Sequence, residues 1–183
     1  MELLLGAGAS RIKKVRAPDS PAEWRNLVTL DINPDHEPDV VWDCALLPRG
    51  DRLPWPDETF DEIHAYDVLE HWGRPGDWRG WFNEWSEFYR LLKPGGTVCG
   101  ISPRYDGRWA WGDPGHCRII QAENFVYLDQ EQYRIQVGKT AITDYRFVWK
   151  GDFETVGCER APGGETFAFV LRAIKPARIG STT

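Results

Sequence analysis

The stretch LPWPDETFDEIHAYDVLEHW, Leu53–Trp72, decides how this chain is read. Its centre, Asp61–Val68, has the length and apolar content of a buried strand, which would leave Tyr66 and Asp67 at its carboxyl end. Beyond it Trp78, Trp81, Phe82, Trp85, Phe88, Tyr89 and Leu92 recur at steps of three and four. Arg79, Glu84, Glu87 and Arg90 fill the other face, so the spacing predicts an amphipathic helix with a tryptophan-lined core side. Lys93-Pro94-Gly95-Gly96 predicts its stop, because proline cannot continue a helix and glycine accepts the left-handed cap. Thr97–Ser102 then reads as a strand. Upstream, Glu2–Leu5, Leu27–Ile32 and Asp39–Trp42 read the same way, with Val28, Leu30 and Ile32 alternating with Thr29 and Asp31. Strands interleaved with crossovers predict an α/β fold with a parallel sheet and right-handed connections. The first crossover carries Pro18 and Pro21 and permits at most a short helix. Residues 103–144 read as an irregular insertion followed by a helix. Tyr145–Trp149, Glu154–Arg160 and Phe167–Ile174 read as antiparallel strands, the last two joined by a Pro162-Gly163-Gly164 turn.

A chain of 183 residues with 42% hydrophobic content suits a single domain spanning residues 1–183. No apolar run approaches the ~18–20 residues of a membrane span, and the opening MELLL lacks the basic start of a signal peptide. Cys44, Cys99, Cys117 and Cys158 are widely spaced, so reduced thiols in a cytoplasmic protein are expected. The four histidines and four cysteines show no ligand spacing along the chain, and no metal is expected. Residues 1–102 hold 11 basic and 18 acidic side chains and the remainder 11 and 10, which offers no basic stripe for nucleic acid.

Three strand ends carry chemistry. After Leu3-Leu4-Leu5, the run Gly6-Ala7-Gly8 lets the backbone turn sharply and bring N–H groups close to a ligand, though it equally suits a bare tight turn. Arg11 stands where a dinucleotide fingerprint needs glycine, which argues against a nicotinamide site. Asp31, ending the second strand beside Ile32, can accept from both hydroxyls of a ribose or open a turn with Asn33-Pro34. Asp43, followed by Cys44, can accept from an adenine amine or cap a helix.

Taken in order, Gly-x-Gly, Asp31-Ile32, Val-x-Asp, LPWPDETFDEI, DVLEH and RLLKPGG (Arg90–Gly96) make residues 2–102 resemble the small class I S-adenosylmethionine-dependent methyltransferases. The resemblance implies a Rossmann-like, mostly parallel seven-stranded sheet with an antiparallel last strand. It also implies S-adenosylmethionine as cofactor. Gly6, Ala7 and Gly8 would approach its methionine part, Asp31 its ribose hydroxyls, and Asp43 with Cys44 its adenine, with Ile32 as a further cofactor contact. Tyr66 and Asp67 would lie beside the sulfonium, with Glu70 and His71 matching the family's Leu-Glu-His. Leu4 stands where relatives often carry an acid, and Ser10 replaces a third glycine. No covering helix precedes the first strand, so cover is expected to come from residues 103–144 or from a second copy of the chain, or to be incomplete.

Within that insertion, Arg104, Trp109, Trp111 and His71 are expected to meet substrate, and Asp113-Pro114-Gly115-His116 resembles a segment of related small methyltransferases. His116 is the first choice for a base that takes a proton near neutrality, with Asp67 and Asp113 behind it; in an irregular loop it equally suits a backbone carbonyl. Methylation of DNA bases is excluded: Tyr66-Asp67-Val68 stands where those enzymes carry (Asp/Asn)-Pro-Pro, and no Pro-Cys occurs. The expected activity is O- or N-methylation of a small molecule or glycan. A protein or RNA acceptor docked by Arg104, Arg108 and Arg118, or a non-catalytic partner-binding module, are the alternatives.

Overall fold

The computed structural model describes residues 1–160 and 164–179. Seven strands, β1 (Glu2–Leu5), β2 (Leu27–Asp31), β3 (Val40–Val41), β4 (Phe60–Tyr66), β5 (Leu92–Pro103), β6 (Phe153–Arg160) and β7 (Thr166–Ala173), form one sheet in the order β3-β2-β1-β4-β5-β7-β6. Neighbours among β1–β5 run parallel, and β7 is antiparallel to both β5 and β6. This is the mostly parallel sheet with an antiparallel last strand that the sequence predicts. Residues 162 and 163 of the expected final turn lie outside the described residues.

Side-chain alternation divides the sheet into two unlike faces. Leu3 and Leu5 of β1, Ile63 and Ala65 of β4, and Val98 of β5 join the main core against the helix α1 (Trp78–Leu91). Phe82, Trp85, Phe88 and Leu91 of α1 are buried there, as its periodicity predicts. Asp77 caps its start by accepting from the Gly80 N–H at 3.0 Å. Two further helices, α2 (Ala122–Phe125) and α3 (Gln130–Gln136), belong to the insertion.

The structure corrects three readings. Residues Tyr145–Trp149 are not a strand: the N–H groups of Val148 and Trp149 both donate to the Tyr145 carbonyl, and the Trp149 ring stacks on Phe82. Trp149 is buried as a plug, Tyr145 is half-buried and Phe147 is exposed, so the aromatic run mimics a strand without its alternation. Glu84 and Glu87 are buried although they sit on the presumed polar face of α1, because the insertion and the loop before β4 cover that face. Glu84 receives Arg118 and the Trp72 indole N–H, and Glu87 receives Arg90 and the Leu53 N–H. Trp78 and Trp81 are half-buried, not core.

The opposite face has no helix in its first crossover. Residues 9–26 cross it as an extended strap, fixed by the ammonium of Lys13, a residue whose side chain is 1% exposed. It lies 3.0 Å from Glu2 of β1 and 2.8 Å from Glu62 of β4, and donates to Ser20 at 2.9 Å. His64 bridges Glu62 at 2.8 Å and the Tyr66 hydroxyl at 2.6 Å, and that hydroxyl meets both backbone groups of Val15. Among the described residues no helix is long and apolar enough to cross a membrane. All four cysteines are free thiols, as expected from their spacing.

Removing one partner of a buried ion cluster strands the others, so Lys13→Met should cost about 3–5 kcal/mol, read as a lower urea midpoint. An unchanged midpoint would mean the strap is held otherwise. Burial works to raise the pKa of Glu62, but the hydrogen bonds of His64, Lys13 and Ser20 outweigh it and hold the carboxyl at about 2. A depressed carboxyl gives stability that is present above its ordinary pKa and is lost on acidification. Acid unfolding followed by tryptophan fluorescence should therefore show stability falling between pH 4.5 and about 2, with Glu62→Gln flattening that limb.

Candidate active site

The carboxyl ends of β1, β2 and β4 lie side by side, with Leu5 in register with both Leu30 and Ala65. The chain leaves β1 through Gly6 and Gly8, both at positive φ, while the Ala7 N–H donates to the Leu30 carbonyl at 3.1 Å. The two glycines serve different ends. A Cβ on Gly6 would stand 2.3 Å from Val68 Cγ2, so Gly6 lets the loop pack against the exit of β4. A Cβ on Gly8 would meet nothing within 4 Å, so the open side of the loop is at Gly8. Ala7 turns its methyl inward to Leu4 and Tyr66 and has only its backbone to offer.

Asp31 is the hub of this corner. Its carboxylate accepts from the Gly8 N–H at 2.7 Å and the Asn33 N–H at 2.8 Å, with His36 Nδ1 3.2 Å away. Burial works to raise its pKa, but these contacts prevail and hold it below the usual carboxylate range. Ile32, next in the chain, is 63% exposed and offers an apolar surface. Asp43 caps the 3-10 turn Cys44–Arg49 by accepting from the Ala45 N–H at 2.8 Å, and the Cys44 thiol is buried in the main core. The Arg11 guanidinium donates to the carbonyls of Ala7, Gly8 and His36, tying the glycine loop to the turn after β2.

These residues fit an adenosine-bearing cation: an ionised carboxylate, an open glycine loop and an exposed apolar side chain meet at neighbouring strand tips.

At the end of β4, Tyr66 does not face this corner; its hydroxyl is turned into the strap. Asp67, at positive φ, is held by its N–H to the Ile101 carbonyl at 2.8 Å, and its carboxylate lies 3.8 Å from Lys14 Nζ. Surrounding protein raises its pKa against the pull of Lys14, although almost half of its side chain reaches solvent.

The next turn, Leu69–His71, meets the insertion. The N–H of Cys117 donates to the Glu70 carbonyl, which sets His116 and Glu70 side by side. His116 directs Nδ1 to the Ala110 carbonyl at 3.2 Å and Nε2 toward Glu70 Oε1 at 4.0 Å, and its ring is 6% exposed. It faces inward, whereas His71, packed edge-on against it, is exposed. Burial raises the Glu70 carboxyl to about 7. Asp113 is spent locally, accepting from the Gly115 N–H at 2.7 Å.

On the other side of the same loop opens a cavity of about 510 Å³. Trp78 and Trp81 of α1, Trp111, Tyr127 and Tyr145 supply its aromatic walls, and Arg74, Asp77, Asn124 and Arg118 are among its polar members. Of the residues expected to meet substrate, Trp111 lines this cavity. Arg104 does not: it pairs with Asp106 and the Gly164 carbonyl beside a different hollow, with Tyr105 and Gln121. Trp109 is exposed outside the cavity lining. Arg118 is buried on Glu84 at 2.7 Å and the Leu69 carbonyl at 3.0 Å, so it cannot dock a partner. The sequence missed Glu84 because it sits on the nominally polar side of the helix period, and missed Tyr127 and Tyr145 because nothing local links them to Trp78.

A family model described as a methyltransferase domain matches residues 5–100, from the end of β1 into β5. The chain belongs to that family. Its fold is that of the class I S-adenosylmethionine-dependent methyltransferases, with S-adenosylmethionine as the cofactor. An uncharacterized chloroplastic methyltransferase of Arabidopsis thaliana is 32% identical over 96 residues, 51% of this chain and 25% of the relative. The chain therefore spans about a quarter of that relative's length. Among solved structures, a SAM-dependent methyltransferase of Archaeoglobus fulgidus superposes with a TM-score of 0.54 at 16% identity, covering 93% of this chain and 85% of the other. The N-methyltransferase NodS of Bradyrhizobium japonicum gives 0.53 at 15% identity over 95% and 85%. The 1,6-didemethyltoxoflavin-N1-methyltransferase of Burkholderia thailandensis, solved with its acceptor and S-adenosylhomocysteine, gives 0.53 at 13% over 94% and 70%. At these identities the likeness is one of fold.

The unequal glycines give a test. Gly6→Ala adds a left-handed alanine and a clash with Val68, and should cost about 2–4 kcal/mol in thermal unfolding. Gly8→Ala adds only the backbone penalty, about 1 kcal/mol. Equal losses would contradict this division.

Proposed function

We propose that this chain transfers the methyl group of S-adenosylmethionine to a hydroxyl or amine of a small molecule or glycan. The observation that carries the acceptor class is the aromatic cavity beside the exit of β4. Its volume, about 510 Å³, suits a ligand of one or two rings, and the faces of Trp78, Trp81 and Trp111 suit the C–H face of a sugar or a planar heterocycle. Arg74, Asp77 and Asn124 supply the few polar contacts that would fix its orientation.

When bound, S-adenosylmethionine supplies an electrophilic methyl on a positively charged sulfur. Asp31 and the Gly8 loop would hold its adenosine end, with Ile32 offering an apolar surface to the purine. The loop after β4 sets the acceptor against that corner, so the rate gain is mainly one of alignment and exclusion of water. Asp67 is the carboxylate placed to accept a proton from an attacking hydroxyl, since the His116 ring faces inward. A protein or RNA acceptor finds less support: Arg118 is buried, and Arg104 is engaged by Asp106.

Calorimetry with S-adenosylhomocysteine should show one-to-one binding, weakened at least tenfold by Asp31→Ala; no binding by the wild type would refute the cofactor role of this corner. With radiolabelled S-adenosylmethionine, label should enter a sugar-nucleotide or small-aromatic panel, and Trp78→Ala and Trp111→Ala should raise KM for the acceptor without altering S-adenosylhomocysteine affinity. Label entering only protein or RNA would overturn the acceptor class.

A further inference from the structure

The side chains of Glu70, His71 and His116 form a second constellation. One donor atom from each lies within 4.8 Å of the other two. Glu70 is 2% exposed; its Oε2 accepts from Ser102 Oγ at 3.3 Å, while Oε1 is buried with no hydrogen-bond partner. That unpaired oxygen faces His116 Nε2 at 4.0 Å. A neutral His116 whose Nδ1–H donates to the Ala110 carbonyl presents a lone pair at Nε2. With Glu70 ionised, two acceptor atoms face each other across a gap of 4.0 Å, an arrangement that costs energy unless a proton or a metal cation fills it.

His71 completes the ring of donors. Its imidazole packs edge-on against His116 with centroids 4.7 Å apart, and it forms no side-chain hydrogen bond among the described residues. Gly115 leaves it room: a Cβ there would stand 3.0 Å from His71 Nδ1. A backbone carbonyl on the far nitrogen of a histidine is the outer-shell arrangement that orients an imidazole toward a metal. Two imidazoles and a carboxylate suit a divalent first-row transition ion, not magnesium or calcium, which prefer oxygen donors.

We propose that Glu70, His71 and His116 bind one divalent transition-metal ion of the zinc type. Bonds of about 2.0–2.2 Å would draw the donors inward, which the exposed His71 side chain allows by rotation. Three protein ligands leave a coordination position free on the solvent side, next to the loop that walls the aromatic cavity. The fold alone brings these residues together, through the pairing of Cys117 with the Glu70 backbone, which is why spacing along the sequence gave the opposite expectation.

This inference does not rest on methyl transfer, and its test needs no substrate. Metal-free protein titrated with Co²⁺ should take up one equivalent and develop visible d–d absorption, which Zn²⁺ should abolish by displacement. His71→Asn should weaken uptake at least tenfold with an unchanged far-ultraviolet circular dichroism spectrum; being exposed, His71 tolerates this change, so the test stands even if His116→Asn does not fold. Cys117→Ser should leave uptake intact. The proposal is overturned if wild type takes up no stoichiometric Co²⁺, if His71→Asn binds as tightly as wild type, or if Cys117→Ser removes the absorption, which would assign the ion to the neighbouring thiolate.

Discussion

The Lys13 ammonium, enclosed between Glu2, Glu62 and Ser20, is the contact on which the cofactor side of this molecule depends. A methyltransferase sheet ordinarily needs a layer on each face, and here the first crossover supplies no helix to build one. Polar anchoring replaces amphipathic packing. β1 and β4 each alternate a charged residue onto the strap face, at Glu2 and Glu62, and one lysine satisfies both. Removing charges from water is expensive, so such a cluster persists only when its partners are well placed. Burial keeps His64 neutral by lowering its pKa, which lets it pass a hydrogen bond from Glu62 to Tyr66 without adding a second buried cation. The strap so fixed carries Arg11 to the rim of Asp31 and Lys14 to Asp67.

The segment after β4 does more than one job. Val68 packs on Gly6 and holds the glycine loop; Leu69 and Glu70 receive the insertion through backbone bonds; Arg74–Trp78 wall the cavity. The glycine loop, the buried Glu70 and the wall of the aromatic cavity are therefore all tied to one short stretch, and a shift in that stretch moves all three.

The strands and α1 were legible because they follow local rules: short apolar runs, period-two alternation in Leu27–Ile32, and three- and four-residue steps from Trp78. That Asp31 and the Gly6–Gly8 loop meet at one edge was legible because a parallel sheet brings the carboxyl ends of its strands together. What stayed hidden is non-local. Glu84 and Glu87 read as solvent-facing until Arg118 and the Leu53 backbone arrive from distant segments. The Tyr145–Trp149 run has strand composition, yet its aromatics fill holes around Phe82. Glu70, His71 and His116 could not be grouped before the insertion was known to lie against the turn after β4. Tyr66 was placed at the right strand tip but on the wrong side, because the strap that captures its hydroxyl has no pattern of its own.

The clasp between Arg118 and Glu84 bears on how such enzymes diversify. Arg118 enters from the insertion, yet its partners, Glu84 and the Leu69 carbonyl, belong to the helix and to the turn before it. Grafting residues 103–144 onto a sheet whose helix lacks an acid at the Glu84 position would bury a guanidinium without its counter-charge. Insertion and helix flank therefore form one electrostatic unit, transferable together and not singly.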